Sequence, residues 1–226
     1  MEIKLTPIAH IENPFKNKFG IPRQSGLSEV RSEIVFAPAY RNPDALRGIE
    51  GYSHLWLIFG FSAAKTTGFR PMVRPPRLGG NRKMGVFATR APERPNPLGL
   101  SSVKLAEVKW DTPRGAILVV TGADLLDGTP IFDIKPYLSF TDAHPDARDG
   151  FAGEHFSDAL TVDLDPALCP ALSASDCAEI CRLLSQDPRP SYQDDPTRVY
   201  GMPYGGYDIR FTVNGDRLTV VEIAEI

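Results

Sequence analysis

The sequence predicts a mainly β chain: an antiparallel barrel or sandwich over residues 1–146, then a linker and a small α+β domain over 147–226. Three observations carry this expectation. Seven short apolar or alternating runs follow one another in the first part, with turn residues between them. The amphipathic helices that a parallel, doubly wound sheet would need are missing there. Strand and helix periods mix only in the tail.

The seven runs are Leu5–Ile11, Glu33–Phe36, His54–Phe61, Gly85–Thr89, Leu100–Val108, Ala116–Thr121 and Ile131–Ile134. The run at 54–61 is apolar on both faces, which predicts a central strand. In this half only Asn42–Ile49, opening Asn-Pro-Asp, reads as a helix. Beyond the acidic, Ala- and Gly-containing linker at Asp142–Asp158, Leu160, Val162 and Leu164 alternate with polar residues as in a half-buried strand. Cys177, Ile180, Cys181 and Leu184 then keep the i, i+3, i+4, i+7 spacing of a helix, and Ser173 with Asp176 makes a capping box at its start. Ile209, Phe211 and Val213 alternate again, and Asn214-Gly215 supplies a hairpin turn. The tail therefore reads as β-α-β-β.

With 226 residues, 42% apolar and 23% charged, the chain can bury a full core without a disulfide or metal staple. No apolar run reaches the roughly 18 residues of a membrane span, and the opening residues carry no signal-peptide pattern, so the expected location is the cytoplasm. Three cysteines and four scattered histidines suit packing and surface roles better than metal ligation; no metal is expected.

Net charge is −3, but it is unevenly placed. Between Lys65 and Arg94 stand eight basic residues, Lys65, Arg70, Arg74, Arg77, Arg82, Lys83, Arg90 and Arg94, against one acid, Glu93; between Asp142 and Asp165 seven acids face Arg148 alone. Phe69, Phe87, Met84 and several Pro and Gly residues interleave the basic stretch. Such a composition suits an ordered loop that holds an anion.

Neither Gly-rich nucleotide loop, G-x-G-x-x-G or G-x-x-x-x-G-K-[ST], occurs, and there is no G-x-S-x-G elbow. Four segments stand out instead: Pro22-Arg23-Gln24, Arg74-Pro-Pro-Arg-Leu-Gly-Gly-Asn81, Arg90-Ala-Pro-Glu-Arg-Pro-Asn-Pro-Leu-Gly99, and Asp124-Leu-Leu-Asp-Gly-Thr-Pro130 running on to Tyr137. Proline fixes φ, so these loops present arginines in few conformations, ready to clasp a carboxylate or phosphate. Taken singly, each segment equally suits a barrel corner braced by an Arg–Asp pair.

Taken together, these motifs resemble one family, the tRNA adenine-N6 methyltransferases called TrmO, with a YaeB-like (TsaA-like) domain. The likeness runs from about Ile8 to Tyr137 and includes Ser53-His-Leu-Trp56 and Met84-Gly-Val-Phe-Ala-Thr-Arg90. It resumes at Leu184-Ser-Gln-Asp-Pro-Arg-Pro-Ser-Tyr192. The resemblance implies a β-barrel enzyme that works as a homodimer. Its methyl donor would be S-adenosylmethionine, and its target N6 of N6-threonylcarbamoyladenosine at position 37 in the tRNA anticodon loop.

By the same resemblance the cofactor contacts fall on Pro22, Arg23, Gln24, Arg90, Leu100 and on Asp124, Leu125, Leu126 and Asp127. Ser62 and Ala63 stand where relatives carry His-Gln, so there a backbone contact is expected. Arg23 or Arg90 would hold the methionine carboxylate. Asp124 or Asp127 would contact ribose hydroxyls or accept hydrogen from the base amine. RNA phosphates would meet Lys65, Arg70, Arg74, Arg77, Arg82, Lys83 and Arg94; in the tail Arg189 and Tyr192 either extend this surface, Tyr192 as a stacking ring, or form a structural Arg–Tyr pair. Two other classes fit the same residues: a non-catalytic RNA-binding adaptor, and a regulator that senses S-adenosylmethionine without transferring its methyl group.

Overall fold

The computed structural model describes residues 3–64, 69–75, 78, 82–155, 159–189, 193 and 195–226. Six strands close an antiparallel barrel in the order β1-β2-β7-β6-β3-β8: β1 (Ala9–Glu12), β2 (Arg31–Phe36), β3 (His54–Gly60), β6 (Leu98–Lys109), β7 (Ile117–Thr121) and β8 (Pro130–Pro136). A two-stranded hairpin, β4 (Met72–Val73) with β5 (Met84–Gly85), projects from the β3–β6 connection. The expected barrel is thus present. The predicted strand at Gly85–Thr89 is a 3-10 turn over Val86–Ala88, closed by Thr89 donating to the Val86 carbonyl. The predicted helix at 42–49 is two 3-10 turns, Pro43–Leu46 and Ile49–Gly51, parted by Gly48 at φ 88°.

Alternation fills the barrel. Leu55, Leu57 and Phe59 of β3 point inward with Ile11, Ile34, Phe36, Val103, Leu118, Val120, Leu125 and Ile131, all buried. Truncating any of these to alanine costs about 2–5 kcal/mol through lost burial and a cavity. β3 is central as expected, paired with β6 on one side and β8 on the other, and its outer face is half covered. There Trp56 lies against Tyr137 and donates to Asp142 in the short helix α1 (Ser139–Asp142). Gly99 has a steric cause: a Cβ there would sit 2.2 Å from the ring of Phe59, its partner across the ladder, so the Pro-Leu-Gly turn admits no side chain.

The tail forms a four-stranded sheet in the order β10-β11-β12-β9: β9 (Thr161–Asp163), β10 (Tyr200–Tyr204), β11 (Tyr207–Asn214) and β12 (Arg217–Glu225), with β9 parallel to β12. Helix α2 (Ala174–Ser185) packs Ile180, Leu183 and Leu184 on this sheet. Its capping box is formed on both sides, Asp176 N donating to Ser173 Oγ and Ser173 N to Asp176 Oδ2. The 214–217 turn differs in detail from the expected Asn-Gly pair: Asn214 pairs with Arg217, and Gly215 alone has positive φ, as a II′ turn requires at its first central position. Strand β10 lies beyond the expected β-α-β-β. Its Gly-Met-Pro centre hides the alternation, and Pro203 is tolerated because β10 is an edge strand. Residues 150–155 within the expected linker form a 3-10 turn.

Cys169 is buried; Cys177 and Cys181, on α2, are half-buried. The Cys177 thiol donates to Cys169 Sγ at 3.0 Å, and this bond, with burial, pushes its pKa up to about 11. Among the described residues no group of His, Cys, Asp or Glu is arranged to hold a metal ion.

The segment between β1 and β2 belongs to the barrel by sequence and to the tail by packing. Phe15 and Val30 are buried in the tail's core, with Phe19 and Ile21 against it. This segment carries Pro22-Arg23-Gln24.

Candidate active site

The β1–β2 loop, residues 13–30, is pinned along its length by partners from four other parts of the chain. At its start Asn13 N donates to Asp127 Oδ1 (2.9 Å), Lys16 Nζ pairs with Asp127 Oδ2 (2.7 Å), and Asp127 N donates to the Phe15 carbonyl. Buried Asn13 also donates from Nδ2 to the Leu125 carbonyl. Lys18 Nζ donates to the Ala63 carbonyl (2.8 Å). Arg23 Nη2 donates to the Asp187 carbonyl (2.5 Å) and, at 3.4 Å, to that of Arg189. Gln186 Nε2 donates to the Leu27 carbonyl, and Glu29 N donates to Glu179 Oε1 on α2.

Between these fastenings the loop meets the barrel mouth. Gln24 Oε1 accepts from Arg90 Nη1 at 2.5 Å. Gly26 N donates to the Gly122 carbonyl, and the two backbones run so close that a Cβ on Gly122 would lie 3.2 Å from Gly26 N; Gly122 also sits at φ 82°, which suits glycine. Two residues on, Asp124 accepts from Ser101 Oγ at 2.6 Å, and the Ser25 amide also bonds to it. Burial pushes the Asp124 carboxyl above the ordinary aspartate range. The Ser101 hydrogen bond, the Asp124 and Ser25 backbone amides and the charge of Arg90 act in the opposite direction.

Gln24, Arg90 and Asp124 therefore come together from three distant segments, and Ser101 of β6 joins them. Leu100, beside Ser101, is on the outer face of β6 and 56% exposed. Asp127, grouped with Asp124 by the sequence, does a different job: its carboxylate is committed to Asn13 and Lys16 and anchors the loop. Leu125 is a core residue, and the Leu126 carbonyl accepts from Thr129. Pro22 is buried, so it shapes the loop from within.

Ser62 and Ala63 follow β3 at an exposed corner; Ser62 borders an apolar groove of about 350 Å³ walled by Phe61, Pro97, Leu98 and Phe132. Lys18 ties this corner to the loop that also carries Gln24.

The basic residues divide. Arg70, Arg74, Arg82 and Lys83 are exposed, and none is hydrogen-bonded or ion-paired to another described residue. Arg94 instead donates to the Thr89 and Ala91 carbonyls, bracing its own turn. Arg189 is only 9% exposed and bidentate to Asp187, with its guanidinium over the Tyr200 ring. Asp187 has φ 49°, the one positive value outside glycine among the described residues. Lys65, Arg77 and Tyr192 lie outside the described residues.

The sequence gives Ser101, Ser25 and Glu179 no role at the site, and Gln186 appears only inside the 184–192 motif. Ser101 carried a faint signal, since a serine on an inward-facing strand position needs a polar partner. Glu179 of α2 carries none, because its partner Glu29 lies 150 positions away.

The site-bearing region, residues 10–143, matches the family model for the tRNA-methyltransferase O N-terminal domain, and residues 160–226 match that for the TrmO C-terminal domain. The chain is 50% identical over 167 residues to the tRNA (adenine(37)-N6)-methyltransferase of Eikenella corrodens, covering 72% of this chain and 91% of that one. It is 40% identical over 219 residues to the Escherichia coli protein of the same name, covering 91% of each. A Methanothermobacter thermautotrophicus protein named "Probable S-adenosyl-L-methionine-binding protein" is 41% identical over 143 residues, which are 63% of this chain and 96% of that one. The crystal structure of TrmO from Pseudomonas aeruginosa superposes with a TM-score of 0.79 at 33% identity, covering 100% of this chain and 98% of that one.

Proposed function

Because the chain belongs to the tRNA-methyltransferase O family over both of its parts, we propose that it methylates N6 of N6-threonylcarbamoyladenosine at position 37 of tRNA, with S-adenosylmethionine as donor. The observation that carries this is the meeting of Gln24, Arg90 and Asp124 at one mouth of the barrel.

The residue types fit the donor's polar ends. A guanidinium on a solvent-exposed arm suits the methionine carboxylate, and Arg90 fills that role here, oriented by Gln24. A half-buried carboxylate suits ribose hydroxyls or an amine, and Asp124 fills that one, oriented by Ser101. When bound, the donor supplies a methyl group activated by its sulfonium, so what remains for the protein is in-line positioning of the amine. Methylating N6 releases one proton. Asp124, with its carboxyl pKa raised by burial, is better suited to hold it than an ordinary surface carboxylate. Arg23 and Asp127 act one step back, keeping the loop in place, while Leu100 and the Ser62-Ala63 corner border the donor. The phosphates of the anticodon loop meet Arg70, Arg74, Arg82 and Lys83. The active form is a homodimer in the cytoplasm, where the tRNA is. No helix among the described residues is long and apolar enough to cross a membrane.

The test is transfer of labelled methyl to threonylcarbamoylated tRNA by the purified protein. Label in the RNA that depends on Arg90 and Asp124 supports the enzyme. Donor binding without transfer would make the chain a sensor, and RNA binding indifferent to the donor would make it an adaptor.

A further inference from the structure

Two exposed phenylalanines stand beside the cations that pair with no other described residue. Phe69 is 61% exposed and Phe87 74% exposed, and their rings stack on each other with centroids 6.3 Å apart and planes 24° apart. The pairing is built into the hairpin. Phe69 lies three residues before β4 and Phe87 two residues after β5, and Met72↔Gly85, Val73↔Met84 and the Val86 N to Pro71 carbonyl bond fix the stem between them. Each ring reduces the other's exposure, yet most of both surfaces stays wet. Large exposed rings held in register on a soluble protein mark a contact surface rather than a packing remnant.

The charges around the rings indicate what covers them. Arg70 adjoins Phe69, Arg74 follows β4, Arg82 and Lys83 precede β5, and none of the four is paired with another described residue. Between Phe69 and Arg94 the only acid is Glu93. An apolar partner would leave these cations without counter-charge, and a phosphate-only partner would leave the rings in water. A single-stranded nucleic acid satisfies both, because each nucleotide brings one π-face and one negative charge.

We propose that Phe69 and Phe87 form a stacking platform for an unpaired base of the substrate RNA, with Arg70, Arg74, Arg82 and Lys83 holding the flanking phosphates. Phe87 is three residues from Arg90, so the platform adjoins the methyl-transfer site along the chain. The base on the platform neighbours the one that is methylated. This rests on the tRNA reading above and adds to it the side chains that grip the loop.

The experiment measures binding of a fluorescein-labelled anticodon stem-loop RNA by fluorescence anisotropy across a salt series, for the wild type, Phe69→Ala, Phe87→Ala and Phe87→Trp. Both alanine variants should bind about 5- to 150-fold more weakly, the effect of one lost base stack, with the slope of log K against log salt unchanged. Phe87→Trp should bind like the wild type. Donor affinity by calorimetry and mass by sedimentation should not move, since both rings lie outside the core. Unchanged RNA affinity in both alanine variants overturns the platform while leaving the tRNA reading intact. A halved mass in Phe87→Ala would make the rings a subunit interface, and a parallel loss of donor affinity would make them a wall of the donor pocket; either overturns the platform. A wild type that does not bind the stem-loop removes the tRNA reading itself.

Discussion

The β1–β2 loop and the stretch from Phe69 to Arg94 both reach the candidate site, and they are held in opposite ways. In the loop the charged and amide side chains from Asn13 to Gln24 are, Asn17 apart, tied to other parts of the chain: Asn13 at Leu125, Lys16 at Asp127, Lys18 at Ala63, Arg23 at Asp187, Gln24 at Arg90. In the stretch, the cations on the hairpin have none among the described residues. The difference separates two tasks. A small donor with a fixed shape needs a frame assembled beforehand, whereas a polyanion needs exposed charge that gains its counter-ions only on binding.

If that contrast is sound, substitutions on the two sides should fail differently. The largest effect is expected at the frame's working end. Arg90→Ala or Asp124→Ala removes a charge-assisted contact of about 1.5–3 kcal/mol, or about 10- to 150-fold in donor affinity by calorimetry, with circular dichroism unchanged. Next comes the frame's support. Glu179 is 7% exposed and receives both Glu29 N and Arg182, so Glu179→Ala should lower stability by about 1–3 kcal/mol in urea melts and raise the KM for the donor as the loop loosens. Glu179→Gln keeps an acceptor for Glu29 N and should restore the KM.

On the charged side, Arg74→Ala or Arg82→Ala should weaken tRNA binding a few-fold and lower the salt slope by about 1 each, leaving donor affinity alone. Loss of donor affinity in these variants would dissolve the distinction between frame and surface. The smallest effect is a matter of pH. Since burial raises the Asp124 carboxyl above its unfolded value, holding it ionised costs stability at neutral pH; the folded form regains that stability as the pH falls through the raised pKa toward 3.8. Asp124→Asn should therefore raise the melting temperature slightly at pH 7. This gain should vanish at or below the ordinary aspartate range.

The barrel was legible because its strands alternate with period two and end at Gly, Pro and Asp turns, and α2 because its cap and apolar stripe are local. Strand β10 was not, since Gly201 and Pro203 break the pattern that a pairing partner restores. At the candidate site, the sequence picked out segments that meet in the fold but could not assign roles within them. Asp124 and Asp127 look equivalent three residues apart; only the fold shows that one faces Ser101 and the other Asn13 and Lys16. For Arg94 and Arg189 the sequence leaves an RNA contact and a structural brace both open; the fold makes them braces, through carbonyls and a carboxylate that have no signature of their own.

A crystal structure with bound S-adenosylmethionine tests the central claim most directly. The account predicts the methionine carboxylate on Arg90 and a ribose or amine contact on Asp124, with residues 13–30 unmoved. Donor lodged in the Phe61–Leu98 groove, with Arg90 and Asp124 untouched, would contradict it.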